Sequence, residues 1–488
     1  MQDADFRAEQ PDRTDPLSIY NYSRYLIGES LRSLIGECVD EHIRKGKGGL
    51  GQMVEELFFG YDANSKREAD FAEAGLELKC TPLTRHKDGD LLRIKERLVC
   101  TMIDYAEIAG TKFEDSHLLA KCRIMLLLFY LHISGQQVAD SRFIYRVLWQ
   151  LPKKDLLLIS RDYETIAAKV REGKAHLLSE GDTIYLGACR KGQKGDRLQP
   201  QPYSDIPAAK RAFSLKPAYM RYILAHVVES GQNHYTNYSK PEKPVFELVE
   251  AGQLKVKSFE EIILDRFRPF TGLNYVEICD RLGIEPYQAK SKYADVCGLI
   301  ASNNAGKRIS ESEEFIKSGI IMKTVRLGLN GKPRESRSFK NIDYNEVIEN
   351  EEWTDSELYE LFTSRFLFVV FRPVQGEKIS IYNRRTSRVC VEQSYVLDKV
   401  FFWTMPPEDL ERAKEYRDNI RTCVLNNEIR LKSFWSISDH RSFHVRPKAT
   451  NSQQKTSNPH GGMCDRFCYW FNGDYVHKII ESSTSNVQ

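Results

Sequence analysis

The sequence lacks the features that would assign a chain of this length to a membrane or disulfide-bonded class. Its 488 residues contain no apolar run of about 18 residues, the length that a membrane-spanning helix needs. Its 11 cysteines are scattered and form no CxxC pair, and the polar segment 1–16 does not resemble a secretion signal. We therefore expect a cytoplasmic protein with reduced thiols, no membrane partner and an ordinary folded core.

The sequence also lacks an excess of charge of either sign. Its 71 basic and 68 acidic side chains leave a formal net charge of +3, so the total charge indicates no nucleic-acid partner. Any basic surface must be local. Two segments, 206–228 and 441–460, each carry four or more Arg and Lys residues and no acid, and they are candidates for such a surface.

The length of the chain predicts two domains, because single cores stop growing at roughly 250–300 residues. The most linker-like stretch is SGQNHYTNYSKPEKP at 230–244, close to the middle of the chain. The predicted organisation is a first domain over 1–231, a linker over 232–256 and a second domain over 257–488.

The two halves of the chain resemble each other. DFAEAGLELKCTPL aligns without gaps on EFIKSGIIMKTVRL, with an identical Phe, Gly, Lys and Leu at matching positions. Two further block pairs follow in the same order with nearly the same spacing. The three pairs are 70–83 with 314–327, 123–129 with 365–371, and 213–224 with 469–480. Preserved order and spacing indicate a duplication.

The chemistry of the first half centres on Asp70, Glu77 and Lys79. Residues two apart on a strand face the same side, so Glu77 and Lys79 are expected to project together from a strand that begins near Gly75. Two carboxylates offer hard oxygen ligands to Mg²⁺, and a lysine held beside them can orient an attacking water. This set is suited to phosphodiester hydrolysis, although charged alternation on a half-exposed strand is an equally simple explanation.

Two neighbouring residues extend this candidate site. Glu56 interrupts an otherwise apolar helical run, so it is either solvated or directed at the same metal ion. Lys121 begins the predicted strand Arg123 to His132, where it either reaches the scissile phosphate or remains a solvated lysine at a helix end.

The blocks MVEELFFG, DFAEAGLELK and SHLLAK resemble the catalytic blocks of the MutH and Sau-type restriction endonuclease family, which belongs to the PD-(D/E)xK nuclease class and acts at GATC sites. KAHLLSEG, QPYSDI and KRAFSLK resemble the Sau-type enzymes in particular. The resemblance implies that Asp70 and Glu77 bind the metal, that Lys79 is the catalytic lysine, and that Glu56 is an auxiliary acid. It also implies a role for Lys121 in catalysis or phosphate contact. Ala69 stands where the class name has proline.

The same resemblance suggests residues that contact DNA in the first half. Lys191 matches a base-contacting lysine of the MutH proteins, whereas Cys189 replaces the arginine of their Arg-Pro-Lys triplet, and Arg190 is a possible substitute. Ser214 stands where MutH has a tyrosine, and Lys216 lies in the acid-free segment. Lysine or arginine in the major groove reads guanine, or the same residues only contact phosphates.

The second half keeps different parts of the pattern. Glu314, Ile321, Lys323 and Thr363 occupy the positions of Asp70, Glu77, Lys79 and Lys121. With isoleucine at the main metal position, this half is not expected to hydrolyse DNA. It retains the triplet that the first half lost, as Arg446, Pro447 and Lys448, and this favours a DNA-binding module over a structural cap with a solvated basic loop.

The combined prediction is an α/β protein, with mixed sheets flanked by helices and two tandem MutH-like domains, the second catalytically degenerate. The resemblance implies a Mg²⁺-dependent type II restriction endonuclease that cuts double-stranded DNA 5′ of the G in GATC. It further implies a homodimer on DNA, an effector role for the second domain and a cognate DNA methyltransferase. The alternatives are a MutH-like nicking enzyme of mismatch repair and a non-catalytic GATC-binding regulator; a pure scaffold would explain neither acid-free segment.

Overall fold

The computed structural model describes residues 10–36, 38–44, 49–61, 68–85, 92–192, 197–229, 246–303, 305–383, 386–447 and 454–483. The chain forms two compact units. Unit 1 comprises Met1–Leu178 and Thr183–Lys243, and unit 2 comprises Ser179–Asp182 and Pro244–Gln488. The division falls within the predicted linker 232–256. The described part of that segment includes a short helix in which Leu254 is buried, so it is not wholly an extended connection.

Unit 1 combines short helices with two sheets and a small hairpin. Its helices are α1 (Pro16–Tyr22), α2 (Leu31–Ile35), α3 (Cys38–Arg44), α4 (Leu50–Met53), α5 (Tyr105–Gly110), α6 (His117–Cys122), α7 (Lys153–Arg171) and α8 (Pro217–Glu229). Its strands are β1 (Glu77–Arg85), β2 (Leu92–Ile94), β3 (Leu98–Met102), β4 (Ile124–Leu131), β5 (Phe143–Gln150), β6 (Leu186–Arg190), β7 (Gln199–Gln201), β8 (Ser204–Ala208) and β9 (Arg211–Leu215).

The main sheet of unit 1 has the order β2-β1-β4-β5, and a second sheet has the order β3-β9-β6. Strands β1 and β4 run parallel, with Glu77 opposite Met125, whereas β2 and β5 are antiparallel to their neighbours. Residues 125–129 of β4 are fully buried, as expected for an apolar strand with both faces covered. Glu77, the first residue of β1, therefore lies on an inner strand of the sheet, next to the buried strand β4.

Unit 2, like unit 1, begins with several helices before its first strand. Its helices are α9 (Ala251–Val256), α10 (Phe259–Phe267), α11 (Tyr275–Leu282), α12 (Lys292–Ala301), α13 (Glu313–Ser318), α14 (Tyr344–Glu349), α15 (Glu357–Phe362), α16 (Pro407–Leu425) and α17 (Gly473–Ser482). Its strands are β10 (Ile321–Arg326), β11 (Arg337–Asn341), β12 (Phe366–Asn383), β13 (Arg388–Trp403), β14 (Phe443–Pro447), β15 (Lys455–Ser457), β16 (Met463–Asp465) and β17 (Phe467–Phe471).

The two units repeat one architecture. Strands β10, β12 and β13 correspond to β1, β4 and β5, including the parallel first pair, and β11-β17-β14 repeats β3-β9-β6. The 19-residue helices α7 and α16 occupy the same place in the order. Local chemistry repeats as well, because Asp104 and Asp343 cap α5 and α14 through the same backbone bonds. The predicted α/β class and the duplication are confirmed.

The amphipathic pattern from Leu17 to Cys38 predicts one continuous helix, and this prediction is wrong. The chain forms α1, a 3₁₀ turn and then α2, which starts at the capping residue Ser30. Gly28 interrupts the segment with a φ of +89°, a left-handed conformation that ends a right-handed helix. Among the described residues, no helix has both the length and the apolar character required to cross a bilayer.

Candidate active site

A tight turn brings Asp70 back to the start of β1. The 3₁₀ turn Ala72–Ala74 ends at Gly75, whose φ of +60° lies in the left-handed region. The Leu78 backbone N–H donates to Asp70 Oδ2 at 3.0 Å, and the Asp70 backbone N–H donates to Glu77 Oε2 at 3.2 Å. These two bonds cross-link the turn to the strand, so the spacing of six residues between the two acids brings their carboxyl groups together.

Two lysines face the Glu77 carboxylate. Lys79 Nζ lies 2.6 Å from Glu77 Oε1, and Lys121 Nζ lies 3.2 Å and 3.1 Å from the two carboxylate oxygens. Lys121 also lies 3.8 Å from Asp70 Oδ1. Lys121 belongs to the last turn of α6 and does not begin β4, but its side chain is only 15% exposed, so it is not a solvated lysine.

Burial makes these contacts necessary. Glu77 is fully buried, and a buried carboxylate is stable only when it is paired and hydrogen-bonded. Burial by itself lowers the pKa of Lys79, but the charge and hydrogen bond of Glu77 outweigh that effect and raise the pKa above its ordinary value. Lys79 is therefore held as an ammonium at neutral pH.

The structure does not assemble the predicted acid set of Asp70, Glu77 and Glu56. Glu56 instead accepts a hydrogen bond from Gln52 at 2.9 Å and lies 3.5 Å from His42 Nδ1 on α3. The cause is local winding, because Val54–Phe58 forms a π-helical turn, and its wider spacing changes which side chain faces the sheet.

Glu55 is the acid on the inner side of that turn, and sequence reasoning missed it. It is 8% exposed. Burial raises its pKa to about 7, with further contributions from the negative charges of Asp70, Glu77 and Glu56. The sequence does signal an acid at this place, through the adjacent pair Glu55 and Glu56. The 3.6-residue period of an α-helix does not predict which of the two faces inward when the turn is π-helical.

The charge of this cluster bears on whether it suits a metal ion. Within the described residues, no group of three His, Cys, Asp or Glu side chains converges closely enough to hold a metal. However, Asp70, Glu77 and Glu55 place three carboxyl groups near two lysines, and the pKa of Glu55 is raised first by burial and then by the negative charges of its acidic neighbours. Hard carboxylate oxygens with excess negative charge fit a divalent cation such as Mg²⁺.

Helix α7 positions β6, which is the strand that leads to the predicted DNA contacts. Asp162 accepts hydrogen bonds from the backbone N–H groups of Ile184, Tyr185 and Leu186 at 2.7, 2.7 and 2.9 Å. Burial raises the pKa of Asp162 to about 6, although these backbone donors and Lys216 oppose the rise. The start of β6 is thus tied to the middle of α7.

The other end of β6 is Arg190, which pairs with Arg211 of β9. Burial raises the pKa of Cys100 on β3 to about 12 against the positive charge of Lys79, and Cys189 of β6 is near enough to contribute to the rise. Arg190 and Lys191 follow Cys189 and are both exposed. Their DNA-contacting role stays a prediction.

Two predicted DNA contacts of unit 1 are wrong as surface residues. Ser214 is 1% exposed and Lys216 is 6% exposed. Lys216 Nζ donates to the Thr183 carbonyl, inside the core. Ser214 lies on the central strand β9 between β3 and β6, so its side chain is covered. An acid-free segment indicated a basic surface, but half of a strand's side chains point inward.

The matching positions of unit 2 carry no equivalent of the acid cluster. Ile321 stands opposite Phe366 as Glu77 stands opposite Met125. Glu314 is fully buried and accepts hydrogen bonds from backbone N–H groups of 248 and 249. Lys323 Nζ donates to the Ser338 carbonyl at 2.8 Å. Each retained charged residue therefore has a structural partner.

Unit 2 exposes Arg446 at the end of β14. Its guanidinium lies 5.1 Å from the centre of the Trp470 ring, and Trp470 stacks on His444 with ring centres 6.0 Å apart. Burial lowers the pKa of His444 to about 4, so that ring is neutral at neutral pH. Lys448, the other predicted contact, lies outside the described residues.

Paired carboxylates with two lysines at a strand start are the arrangement expected of a nuclease that hydrolyses phosphodiesters. Comparison with known proteins agrees. Residues 59–162 match the family model described as DNA mismatch repair enzyme MutH. The chain is 30% identical to Type II restriction enzyme Sau3AI of Staphylococcus aureus over 95% of its own length and 98% of that protein.

Shorter relatives match less than half of the chain. DNA mismatch repair protein MutH of Shewanella amazonensis is 29% identical over 38% of this chain and 77% of its own length. MutH of Shewanella sp. strain MR-7 is 26% identical over 39% of this chain and 85% of its own length. The chain belongs to the family of MutH-like type II restriction enzymes, and it is a DNA hydrolase.

Proposed function

We propose that this chain is a Mg²⁺-dependent restriction endonuclease that recognises double-stranded GATC and hydrolyses the phosphodiester 5′ of the G. The observation that carries the proposal is the convergence of Asp70, Glu77, Lys79 and Lys121. It occurs in a chain similar over its whole length to a type II restriction enzyme. The GATC specificity comes from the family resemblance.

The residues divide the chemistry among them. Asp70 and Glu77 would hold Mg²⁺, and Glu55 is the acid beside them. Glu56 is the next residue of the same π-helical turn. Bound there, the ion would supply Lewis acidity and neutralise developing negative charge. Lys79, kept as an ammonium by Glu77, orients the attacking water and stabilises its hydroxide form. Lys121 lies in the same cluster and can contact the scissile phosphate.

Unit 2 is proposed to bind a second DNA site and to act as an effector. Ile321 provides no metal ligand, so this unit has no hydrolytic role. Arg446 is exposed and held beside an aromatic ring, and an arginine fork suits guanine or phosphate. Lys448 follows it in sequence and completes the proposed Arg-Pro-Lys contact.

The number of active sites determines the proposed assembly. One catalytic set per chain cannot cut both strands of a duplex in one arrangement, so we infer that two chains meet on a twofold-symmetric GATC site. A cognate DNA methyltransferase would protect the host sequence, and the enzyme would act in the cytoplasm, where that DNA lies.

The test is cleavage of unmethylated plasmid DNA by the purified chain with Mg²⁺, with Glu77→Ala as the inactive variant. We expect linear fragments whose sequenced 5′ ends begin with GATC, and no cleavage by Glu77→Ala. Plasmid that remains intact would refute the enzymatic proposal in favour of a GATC-binding regulator. Nicked circles without linear product would support a MutH-like nicking activity instead.

The effector role has its own test. Arg446→Ala should weaken activation of cleavage by an added GATC duplex while the melting temperature stays unchanged, because the guanidinium is exposed. If activation by the duplex is the same in this variant and in the wild type, Arg446 is not part of an effector site.

A further inference from the structure

A hairpin between β6 and β9 of unit 1 has no part in the site described so far. Strands β7 and β8 form it within the insertion 192–210, of which 193–196 lie outside the described residues. The insertion starts directly after Arg190 and Lys191. It therefore leaves the sheet at the end of β6 where Arg190 pairs with Arg211 of β9.

The base and middle of the hairpin are fixed to the body of unit 1. The Lys191 backbone N–H donates to the Lys210 carbonyl at 2.8 Å, which closes the base of the insertion. Gln201 is 7% exposed, and its amide reaches three partners. They are the Ile206 carbonyl at 2.5 Å, His176 Nδ1 at 3.0 Å and the Ala175 N–H at 2.7 Å. A buried amide bonded on both ends ties β7 to β8 and to the body of unit 1.

The tip of the hairpin is also held against the body. Gly173 follows α7 with a φ of +69°, and a Cβ added there would lie 2.4 Å from the Tyr203 carbonyl oxygen. Only glycine permits this close approach. The tip backbone is thus packed on the end of α7, whereas its side chain points away from the body.

The hairpin exposes three large apolar side chains. Tyr203 is 74% exposed, Ile206 is 54% exposed and Leu198 is 48% exposed. These side chains contribute little to the core. An aromatic and aliphatic projection on a rigid support is the form in which proteins insert wedges into a DNA groove or base step.

Positive charge surrounds the same projection. Arg197 and Lys210 line an open groove of about 760 Å³ beside the hairpin, together with the single acid Asp205. Arg190 and Lys191 lie at its base and are exposed. Four basic residues against one acid give a local positive surface that complements a phosphate backbone.

We propose that the β7–β8 hairpin is a DNA-contacting wedge. Tyr203 and Ile206 contact base and sugar edges in a groove, and Arg197 and Lys210 bind the flanking phosphates. The proposal deepens the proposed function and rests on it, because it requires that the chain bind duplex DNA. It also gives unit 1 DNA contacts in addition to Lys191. Such contacts are needed because Cys189 and the buried Ser214 provide none.

The test measures the affinity of the full chain for fluorescent duplexes by anisotropy, in a Glu77→Ala background that prevents cleavage. One duplex contains GATC and a second has that sequence scrambled. Tyr203→Ala and Ile206→Ala should each weaken binding at least about fivefold, without changing the salt dependence. Ile133→Ala is the matched control, because Ile133 is 52% exposed and follows the far end of β4; its affinity should equal that of the parent.

The basic residues should give a different signature. Arg197→Ala and Lys210→Ala should each reduce the slope of log affinity against log salt by about 0.9, as expected for a lost phosphate contact. Unchanged affinity in Tyr203→Ala and Ile206→Ala, with normal melting temperatures, would overturn the wedge. A DNA-free dimer that dissociates in Tyr203→Ala with no loss of DNA affinity would also overturn it, in favour of contact with a second copy.

The two duplexes separate this inference from the proposed function. Equal affinity for both duplexes, with loss in the hairpin variants, would contradict GATC recognition and leave the wedge standing. A preference for the GATC duplex that the hairpin variants do not change would support GATC recognition and contradict the wedge. If the parent binds neither duplex, both proposals are wrong.

Discussion

Replacing Lys121 by alanine removes one of two ammonium groups that face the buried Glu77 carboxylate. Its Nζ lies 3.1 Å from one Glu77 oxygen and 3.8 Å from Asp70. At 3.1 Å and an effective dielectric constant of about 20, the Coulomb attraction is about 5 kcal/mol. Desolvation offsets part of this attraction, and Lys79 remains as a partner. We therefore expect the free energy of unfolding of the metal-free protein to fall by about 2–3 kcal/mol.

The same variant should respond more strongly to Mg²⁺ than the wild type does. A cation held by Asp70 and Glu77 would replace the missing positive charge, so added Mg²⁺ should raise the melting temperature of Lys121→Ala further than that of the wild type. Cleavage in Mg²⁺ should fall by about 100-fold, because the proposed phosphate contact is lost.

Urea unfolding with and without Mg²⁺, followed by a plasmid cleavage assay, measures both effects. Lys112→Ala is the control, because Lys112 is an exposed lysine that precedes α6 and should change neither quantity. If Lys121→Ala unfolds like the wild type and its response to Mg²⁺ is no larger, Lys121 is not a charge partner of the acid cluster.

Two further predictions concern buried groups of unit 1. The folded-state pKa of Glu55, about 7 against an ordinary value of 4.5, means that the folded protein holds this proton more tightly than the unfolded chain. Stability should therefore fall as pH rises from about 4.5 to about 7, and Glu55→Gln should reduce that fall in urea titrations; an unchanged profile would remove Glu55 from the cluster. Lys216→Met should lower the melting temperature without a specific loss of DNA affinity, whereas Lys191→Ala should weaken DNA binding and leave the melting temperature unchanged. The reverse pattern would contradict the burial of Lys216 and the exposure of Lys191.

The convergence of Asp70, Glu77 and Lys79 could be predicted because its signals are local. Asp70, Glu77 and Lys79 lie within ten positions, and strand geometry with one glycine turn brings them together. The duplication was visible for a similar reason, since order and spacing survive in the sequence. Both predictions depended only on the regular periods of strands and turns.

The remaining parts depended on geometry that composition does not specify. The π-helical turn at Val54–Phe58 places Glu55 inward and Glu56 toward His42, a shift of one residue that no 3.6-residue period predicts. Lys216 was assigned to the surface because its segment is basic, yet its ammonium donates to the Thr183 carbonyl in the core. Burial of a single side chain is set by the packing of neighbouring strands.

The central claim is that unit 1 cuts DNA and unit 2 does not. The most direct measurement compares plasmid cleavage by Lys79→Ala and Lys323→Ala, which change the same position of the repeat. Lys79 contacts the Glu77 carboxylate, whereas Lys323 donates to the Ser338 carbonyl and lies over the Phe339 ring. We predict that Lys79→Ala abolishes cleavage and that Lys323→Ala, if folded, still cuts both strands. Cleavage by Lys79→Ala at the wild-type rate would contradict the claim.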